Sequence, residues 1–175
     1  MLRGINVSGQ KKILMKDLKT LYEGLGLKNV ITYVQSGNVI FDYDKIKIAS
    51  ISKKIEDKIF ENYHFNVSVI NKSVVEMESV IKNNPFVKQK GIDLTRLYVS
   101  FLYETPVQTN IDKIKDFISG DDKFIISGDE VYLYCPVSYG NSKLSNNFFE
   151  NKLKVTATTR NWKTVNELLR LATEK

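Results

Sequence analysis

The hydrophobic pattern of the first half of the chain centres on a hairpin between Val30 and Phe41. Two runs of β-branched and aromatic residues flank the short polar segment Gln35–Asn38, which contains a glycine. This is the strongest local hairpin signal in the chain, because glycine and asparagine readily adopt the backbone angles of a tight turn. Helical patterns precede and follow the hairpin, so it is predicted to lie at the centre of the first half.

The spacing of apolar residues around the hairpin predicts a βαββαβ unit. In chain order, the expected elements are a strand over 2–5, a helix over 14–25 followed by Gly26, the hairpin, a helix over 48–59 and a strand over 65–69. This order is typical of the ferredoxin-like unit, in which helices cover one face of an antiparallel sheet.

The same kind of pattern begins again in the second half. A third helix is expected to begin at the capping box Ser73–Glu76 and to end before Pro85. The polar stretch 86–95 then marks a predicted boundary between two domains, residues 1–85 and 86–175. Beyond it, the expected elements are strands over 97–101, 124–126 and 131–134, and helices over 111–118, around 144–149 and over 165–172. We therefore predict an α+β protein with two ferredoxin-like halves, antiparallel sheets and an extra C-terminal helix.

The composition of the chain predicts its cellular location. The chain is 42% hydrophobic and 26% charged, which is ordinary for a globular protein. Its one cysteine, Cys135, excludes an internal disulfide framework, and the first residues lack the apolar stretch of a secretory signal. These features predict a cytoplasmic protein with no membrane partner.

The net charge of +6 raises the possibility of nucleic-acid binding, but it is carried mostly by lysines spread along the chain. Arginine is much rarer than lysine and is found at Arg3, Arg96, Arg160 and Arg170. In a lysine-rich chain, an arginine can mark a place that needs a planar, bidentate donor. Arg3 and Arg160 lie in polar stretches, so they are the first candidates for binding a ligand.

Several motifs, taken in order, resemble one known family. They are Leu2–Val7 with Gly9, the turn Gln35–Asn38, the segment Ser142–Leu144, and Thr158–Trp162 with Thr164 and Val165. Together they resemble the bacterial family called domain of unknown function 1697, over essentially the whole chain. The resemblance implies a duplicated, ferredoxin-like α+β organisation, and it brings no established activity or catalytic residues.

Four polar stretches are candidate ligand sites, each with a purely structural alternative. The loop 4–11 has glycines spaced as in a phosphate-binding loop, but Gln10 and Lys11 stand where a P-loop requires lysine and Ser or Thr. The other three stretches are the turn 35–38, the segment 139–143 and the stretch 158–164 at the start of the last helix. A helix cap is predicted in the segment 139–143, at Ser142 or Asn141. The candidate ligand-binding residues are Arg3, Asn6, Lys11, Gln35, Ser36, Asn38, Ser142, Lys143, Thr158, Thr159, Arg160 and Asn161.

Catalytic constellations are missing from the sequence. His64 is the only histidine and lies at the start of a predicted strand, so a Ser-His-Asp or Cys-His mechanism has almost no support, and there is no Cys/His cluster for zinc. No pair of carboxylates presents itself as general acid and base. The sequence therefore predicts no cofactor and no metal, and leaves open whether the protein is an enzyme.

The preferred hypothesis is a small-anion binding protein for a nucleotide or another phosphate-bearing ligand, with the four stretches meeting between the halves. Arg160 has two equal interpretations at this point: it binds phosphate or carboxylate bidentately, or it forms an internal salt bridge. One alternative function is nucleic-acid binding. Another is a structural or protein-interaction module in which the polar motifs are caps and staples. The oligomeric state is left open.

Overall fold

The computed structural model describes residues 1–43 and 48–174, which form two compact units. The first unit contains Met1–Ser73 and the C-terminal residues from Arg170 onward, and the second contains Val74–Leu169. Within these described residues there are six α-helices and two antiparallel sheets. The domain boundary expected after residue 85 stays a prediction.

The first unit is built on the predicted hairpin, which is confirmed. In chain order its elements are helix α1 (Met15–Gly24), strands β1 (Lys28–Tyr33) and β2 (Asn38–Asp42), and helix α2 (Ile48–Tyr63). Helix α1 buries Leu18 and Tyr22, and α2 buries Ile55 and Ile59, as the apolar spacing predicts. Leu14 was expected on the same face of α1, but it precedes the helix and is 71% exposed.

The strands expected over 2–5 and 65–69 are each reduced to one residue. Leu2 and Val69 form a single antiparallel bridge, and the Leu2 amide donates to the Gly37 carbonyl at 2.8 Å. The chain leaves the extended conformation soon after Leu2, because Gly4 has a φ of +71° and Asn6 a φ of +56°. The segment 1–3 therefore lies beside both the hairpin and residues 68–70.

The second unit contains a four-stranded antiparallel sheet in the order β4-β5-β3-β6. Its elements are α3 (Val74–Lys82), β3 (Leu97–Leu102), α4 (Gln108–Asp112), β4 (Lys123–Ser127), β5 (Glu130–Tyr134), α5 (Asn146–Leu153), β6 (Ala157–Asn161) and the part of α6 (Trp162–Thr173) before Arg170. Val131, Leu133 and Leu102 belong to one apolar core with Phe149 of α5.

Two elements of the second unit differ from their predictions. The stretch Thr158–Asn161 was expected at the start of the last helix, but it is part of strand β6, paired along β3. Threonine is β-branched and suits a pleated strand, and the pairing with β3 decides the matter. The helix predicted over 111–118 ends early as α4, which leaves Phe117 and Ile118 outside the core.

None of the helices in the described part of the chain is both long enough and apolar enough to cross a bilayer.

Candidate functional site

The glycine-containing loop near the N-terminus is a miniature hairpin. The Gln10 amide donates to the Val7 carbonyl at 2.9 Å, and the Asn6 amide donates to the Lys11 carbonyl at 3.2 Å. Ser8 and Gly9 both have positive φ, as the central residues of a type I′ turn require. The loop therefore uses two of its amides to close itself and does not form a phosphate-binding loop of the P-loop kind.

Asn6 joins this loop to the tip of the β1–β2 hairpin. Its side-chain amide donates to the carbonyls of Ile13 at 3.0 Å and Gln35 at 2.9 Å, and its oxygen accepts from the Ile13 amide at 2.9 Å. The structure thus brings the first and second candidate stretches together. The Asn6 side chain uses both amide protons inside the protein to do so.

The turn between β1 and β2 packs directly beneath the loop. Gly37 has a φ of +79°, and a Cβ placed there would lie 2.8 Å from Ile5 side-chain atoms. Asn38 is fully buried and its amide donates to the Tyr33 carbonyl at 3.1 Å and the Ser36 hydroxyl at 3.2 Å. Asn38 therefore closes the turn, whereas Gln35 and Ser36 lie exposed at its tip.

Val34 was not among the candidates from sequence. It has a φ of +51°, although a β-branched side chain strongly disfavours that region, and 48% of it is exposed. Strained backbone conformations occur preferentially at functional sites. No sequence pattern signals such a conformation at a valine, so only the structure could identify it.

We call residues 7–12 and 34–36 together the loop–turn surface. No acidic residue occurs in residues 1–16 or 28–41, whereas residues 1–16 carry four cationic side chains. Lys11 donates to the Asn66 carbonyl at 2.7 Å, while the exposed Lys12 ammonium makes no hydrogen bond or ion pair among the described residues. Arg3 is half-buried, and its amide donates to the Ser68 carbonyl. No carboxylate of the described residues forms an ion pair with Lys11 or Lys12, so the surface is cationic.

The third and fourth candidate stretches meet at Thr159 in the second unit. Its hydroxyl donates to the Asn146 side-chain oxygen at 2.7 Å, accepts from the Tyr139 hydroxyl at 2.8 Å and lies 2.5 Å from the Ser100 hydroxyl. A hydroxyl has one proton and two lone pairs, so Ser100 is the donor in the last contact and Thr159 is saturated. The Thr159 hydroxyl has no hydrogen-bonding capacity left for a ligand.

The sequence did not reveal the hydrogen-bond partners of Thr159, which are Ser100, Tyr139 and Asn146. Ser100 was detectable in principle, because it is the one polar residue in the apolar run of strand β3 and faces Thr159 on β6. A lone serine inside a buried strand needs a hydrogen-bond partner. Identifying that partner requires the pairing of strands 59 residues apart, which the sequence alone does not specify.

The helix cap predicted at Ser142 or Asn141 is wrong. Ser145 caps α5 by accepting from the Phe148 amide at 3.3 Å. Ser142 instead donates to an Asp122 carboxylate oxygen at 2.6 Å and accepts from the Leu144 amide at 3.0 Å. Lys143 is exposed.

The remaining candidates of the fourth stretch serve the fold. Arg160 is buried, and its guanidinium donates to the Thr158 hydroxyl at 2.9 Å and the Thr159 carbonyl at 2.8 Å. Asn161 accepts from the Thr164 amide at 2.8 Å and so caps the first turn of α6. Thr158, Arg160 and Asn161 therefore use these polar atoms inside the second unit.

Cys135 is not an activated nucleophile. Burial raises the pKa of its thiol to about 11; a hydrogen bond with Ser142 acts in the opposite direction, and the Asp122 carboxylate raises the pKa further. A thiol with such a pKa is almost entirely protonated at neutral pH and reacts slowly. Across the described residues, no group of three or more His, Cys, Asp or Glu side chains is arranged to hold a metal ion.

Comparisons with known proteins agree with this mixed fold. The conserved bacterial protein SP0830 from Streptococcus pneumoniae has a similar structure, with a TM-score of 0.71 and 24% sequence identity over 99% of this chain and 96% of that one. No curated protein matches the chain. The model of the family described as protein of unknown function (DUF1697) matches residues 1–132. The chain therefore belongs to the DUF1697 family of proteins of unknown function.

Proposed function

We propose that the protein binds a phosphate-bearing small molecule at the loop–turn surface. The observation that carries the proposal is the cationic character of this surface, where Lys12 has no counter-ion among the described residues and no acidic residue lies in either contributing segment. An ammonium group favours a compact anion such as phosphate. The exposed side-chain amide of Gln35 supplies a further hydrogen-bonding group.

The strength of single contacts suggests which phosphate ligand fits. A hydrogen bond to a charged group contributes about 1.5–3 kcal/mol, so two such contacts give affinities near the millimolar range. A ligand with a single phosphate would then bind weakly to so exposed a surface. We therefore favour a ligand with two adjacent phosphates or a phosphate attached to a larger polar group, such as a nucleotide.

Inorganic pyrophosphate is the first probe for this proposal, with thermal unfolding as the readout. A ligand at about 100 times its dissociation constant stabilises the folded state by roughly 2.7 kcal/mol. We expect pyrophosphate to raise the melting temperature, and Lys12→Ala to weaken its apparent affinity about tenfold.

The matched control is Lys54→Ala, which removes an exposed lysine of α2 in the same unit. It should leave the pyrophosphate effect unchanged. Equal loss in both variants, or an equal effect of sodium sulfate at the same ionic strength, would show general charge screening and contradict a defined site.

A second candidate function is a protein-interaction module in which the polar motifs stabilise the fold. It is supported by the internal hydrogen bonds of Asn6, Asn38, Thr159 and Asn161. In that case an exposed apolar patch should mark the partner surface.

We also infer that the chain is a duplication of two ferredoxin-like halves. The order βαββαβ with the sheet order β4-β5-β3-β6 in the second unit supports this inference. In the first unit, the bridge between Leu2 and Val69 and the bond from Leu2 to Gly37 give the same relative order, although its outer strands are rudimentary.

A further inference from the structure

Strand β4 is an outer strand of the four-stranded sheet, and no described strand pairs with its other edge. The two-residue turn at Gly128 and Asp129 makes Ser127 and Glu130 the closing hydrogen-bonded pair of the β4–β5 hairpin. Because such pairs alternate along an antiparallel ladder, the amide and carbonyl groups of Phe124 and Ile126 point away from β5. These groups form a ready template for another strand.

Exposed apolar side chains occur within β4 and in the residues that precede it. Ile125 is 40% exposed in the middle of β4, although it occupies a strand position next to the buried Tyr132. Phe117 and Ile118 precede the strand and are 36% and 83% exposed. Phe117 contacts the ring of Phe148 at a centroid distance of 4.6 Å, on the face of the sheet that packs against α5. Ile125 alternates with Phe124 and Ile126 of that core and therefore lies on the opposite face.

The edge is acidic, in contrast to the rest of a basic chain. Residues 116–130 contain one cationic side chain, Lys123, and five acidic ones, at Asp116, Asp121, Asp122, Asp129 and Glu130. Asp121 and Asp122 directly precede β4, and Asp129 lies in the turn that follows it, so an incoming strand would meet carboxylates beyond each end of the apolar stretch. Charge complementarity therefore favours a cationic segment.

The same charges disfavour a second copy of this chain as the partner. Antiparallel pairing of two β4 strands about a two-fold axis at Ile125 would place Phe124 opposite Ile126. It would also place Asp121 opposite Asp129, and like charges directly opposite each other destabilise a pair of strands. A heterologous segment avoids this repulsion.

We propose that the outer edge of β4 is a docking site for an extended, basic peptide segment of another protein, which adds to the sheet as a fifth strand. Main-chain hydrogen bonds to Phe124 and Ile126 would provide the pairing, and alternate apolar side chains would cover Ile125. Lysine or arginine side chains of the segment would lie near Asp121, which is exposed. This inference is independent of anion binding at the loop–turn surface.

The test uses the full chain and a synthetic peptide of alternating lysine and valine, about seven residues long. We expect saturable binding, with slower amide hydrogen exchange at Phe124 and Ile126 and little change at Lys123 and Ile125, whose amides already bond to β5. Ile125→Lys should weaken binding about tenfold or more by adding charge to the edge. Val137→Lys changes another exposed apolar residue of the same unit and should leave binding unchanged.

Three results would overturn the proposal. The first is equal binding of a peptide in which glutamate replaces lysine. The second is binding without exchange protection at Phe124 and Ile126. The third is a concentration-dependent dimer of the protein alone that Ile125→Lys abolishes, because it would make a second copy the occupant of this edge.

Discussion

At the scale of single residues, the motifs at the start of the chain are explained by close packing. The Asn6 amide links the miniature hairpin to Gln35, and Gly37 lies where Leu2 and Ile5 leave no room for a side chain. A positive φ adds a second reason for glycine at position 37. The residues that stand out in the sequence are therefore largely those that hold the first unit together.

Replacing Gly37 by alanine should destabilise the protein severely. The left-handed backbone costs a residue with a Cβ about 1–2 kcal/mol, and the overlap with Ile5 and Leu2 adds about as much again. We expect a loss of about 3 kcal/mol in urea denaturation. Gly26→Ala is the control, because Gly26 also has a φ of +79° but open space around it, and should cost about 1 kcal/mol. Equal losses would show that the packing contact contributes nothing.

The buried thiol of Cys135 makes stability depend on pH in the alkaline range. Its folded-state pKa is raised to about 11, so the folded protein holds the proton more tightly than the unfolded chain. The resulting stability is fully present below about pH 8.5 and is lost as the pH rises towards about 11. The difference in unfolding free energy between the wild-type chain and Cys135→Ala should therefore shrink between pH 7 and roughly pH 10.5. A pH-independent difference would contradict the raised pKa.

At the scale of secondary structure, a polar segment can form a strand when a neighbouring strand pairs with it. The segment 158–161 is polar enough to suggest a helix start, yet its threonines and Arg160 form strand β6 because β3 offers a complete ladder. Helix α4 shows the converse. Its apolar spacing continues to Ile118, but the helix ends at Asp112, and Phe117 and Ile118 are exposed.

The cap of α5 gives a direct test at this scale. Ser145→Ala removes the hydroxyl that accepts from the Phe148 amide and should cost about 1 kcal/mol of unfolding free energy. Asn141→Ala changes the exposed residue that the sequence offered as an alternative cap and should cost less than about 0.5 kcal/mol. Thermal and urea unfolding of both variants would reveal the difference. A larger loss in Asn141→Ala would restore the sequence-based assignment.

At the scale of the whole molecule, charge is distributed unevenly. The chain carries a net +6, residues 1–16 contain no acid, and residues 116–130 contain five acids and one lysine. A dedicated nucleic-acid binder presents a contiguous basic track along its surface. Here basic and acidic stretches alternate along the sequence. We therefore expect small anions or short peptide segments as partners and not a long nucleic acid.

This distribution predicts that the DNA-binding constant depends only weakly on salt concentration. The logarithm of the binding constant falls with the logarithm of salt concentration by about 0.9 per phosphate contacted. We expect a slope of about −2 or shallower for a short duplex, measured by fluorescence anisotropy between low and moderate salt. A slope near −6 would indicate a continuous phosphate track and favour the nucleic-acid alternative.

The sequence by itself determined the local features of this protein. The apolar stripes of α1 and α2, the hairpin around Gly37 and the buried strand β3 follow from periodicity and turn chemistry, which act between near neighbours. Tertiary structure decided everything that depends on distant partners. From the sequence, Asn6 could bind a ligand or form an internal hydrogen bond, and the fold decides for the internal bond by placing Gln35 beside it. Thr159 could likewise bind an anion, but the fold surrounds its hydroxyl with hydrogen-bond partners, which are Ser100, Tyr139 and Asn146. A polar side chain has several possible partners of similar energy, and only the fold brings one of them within hydrogen-bonding distance.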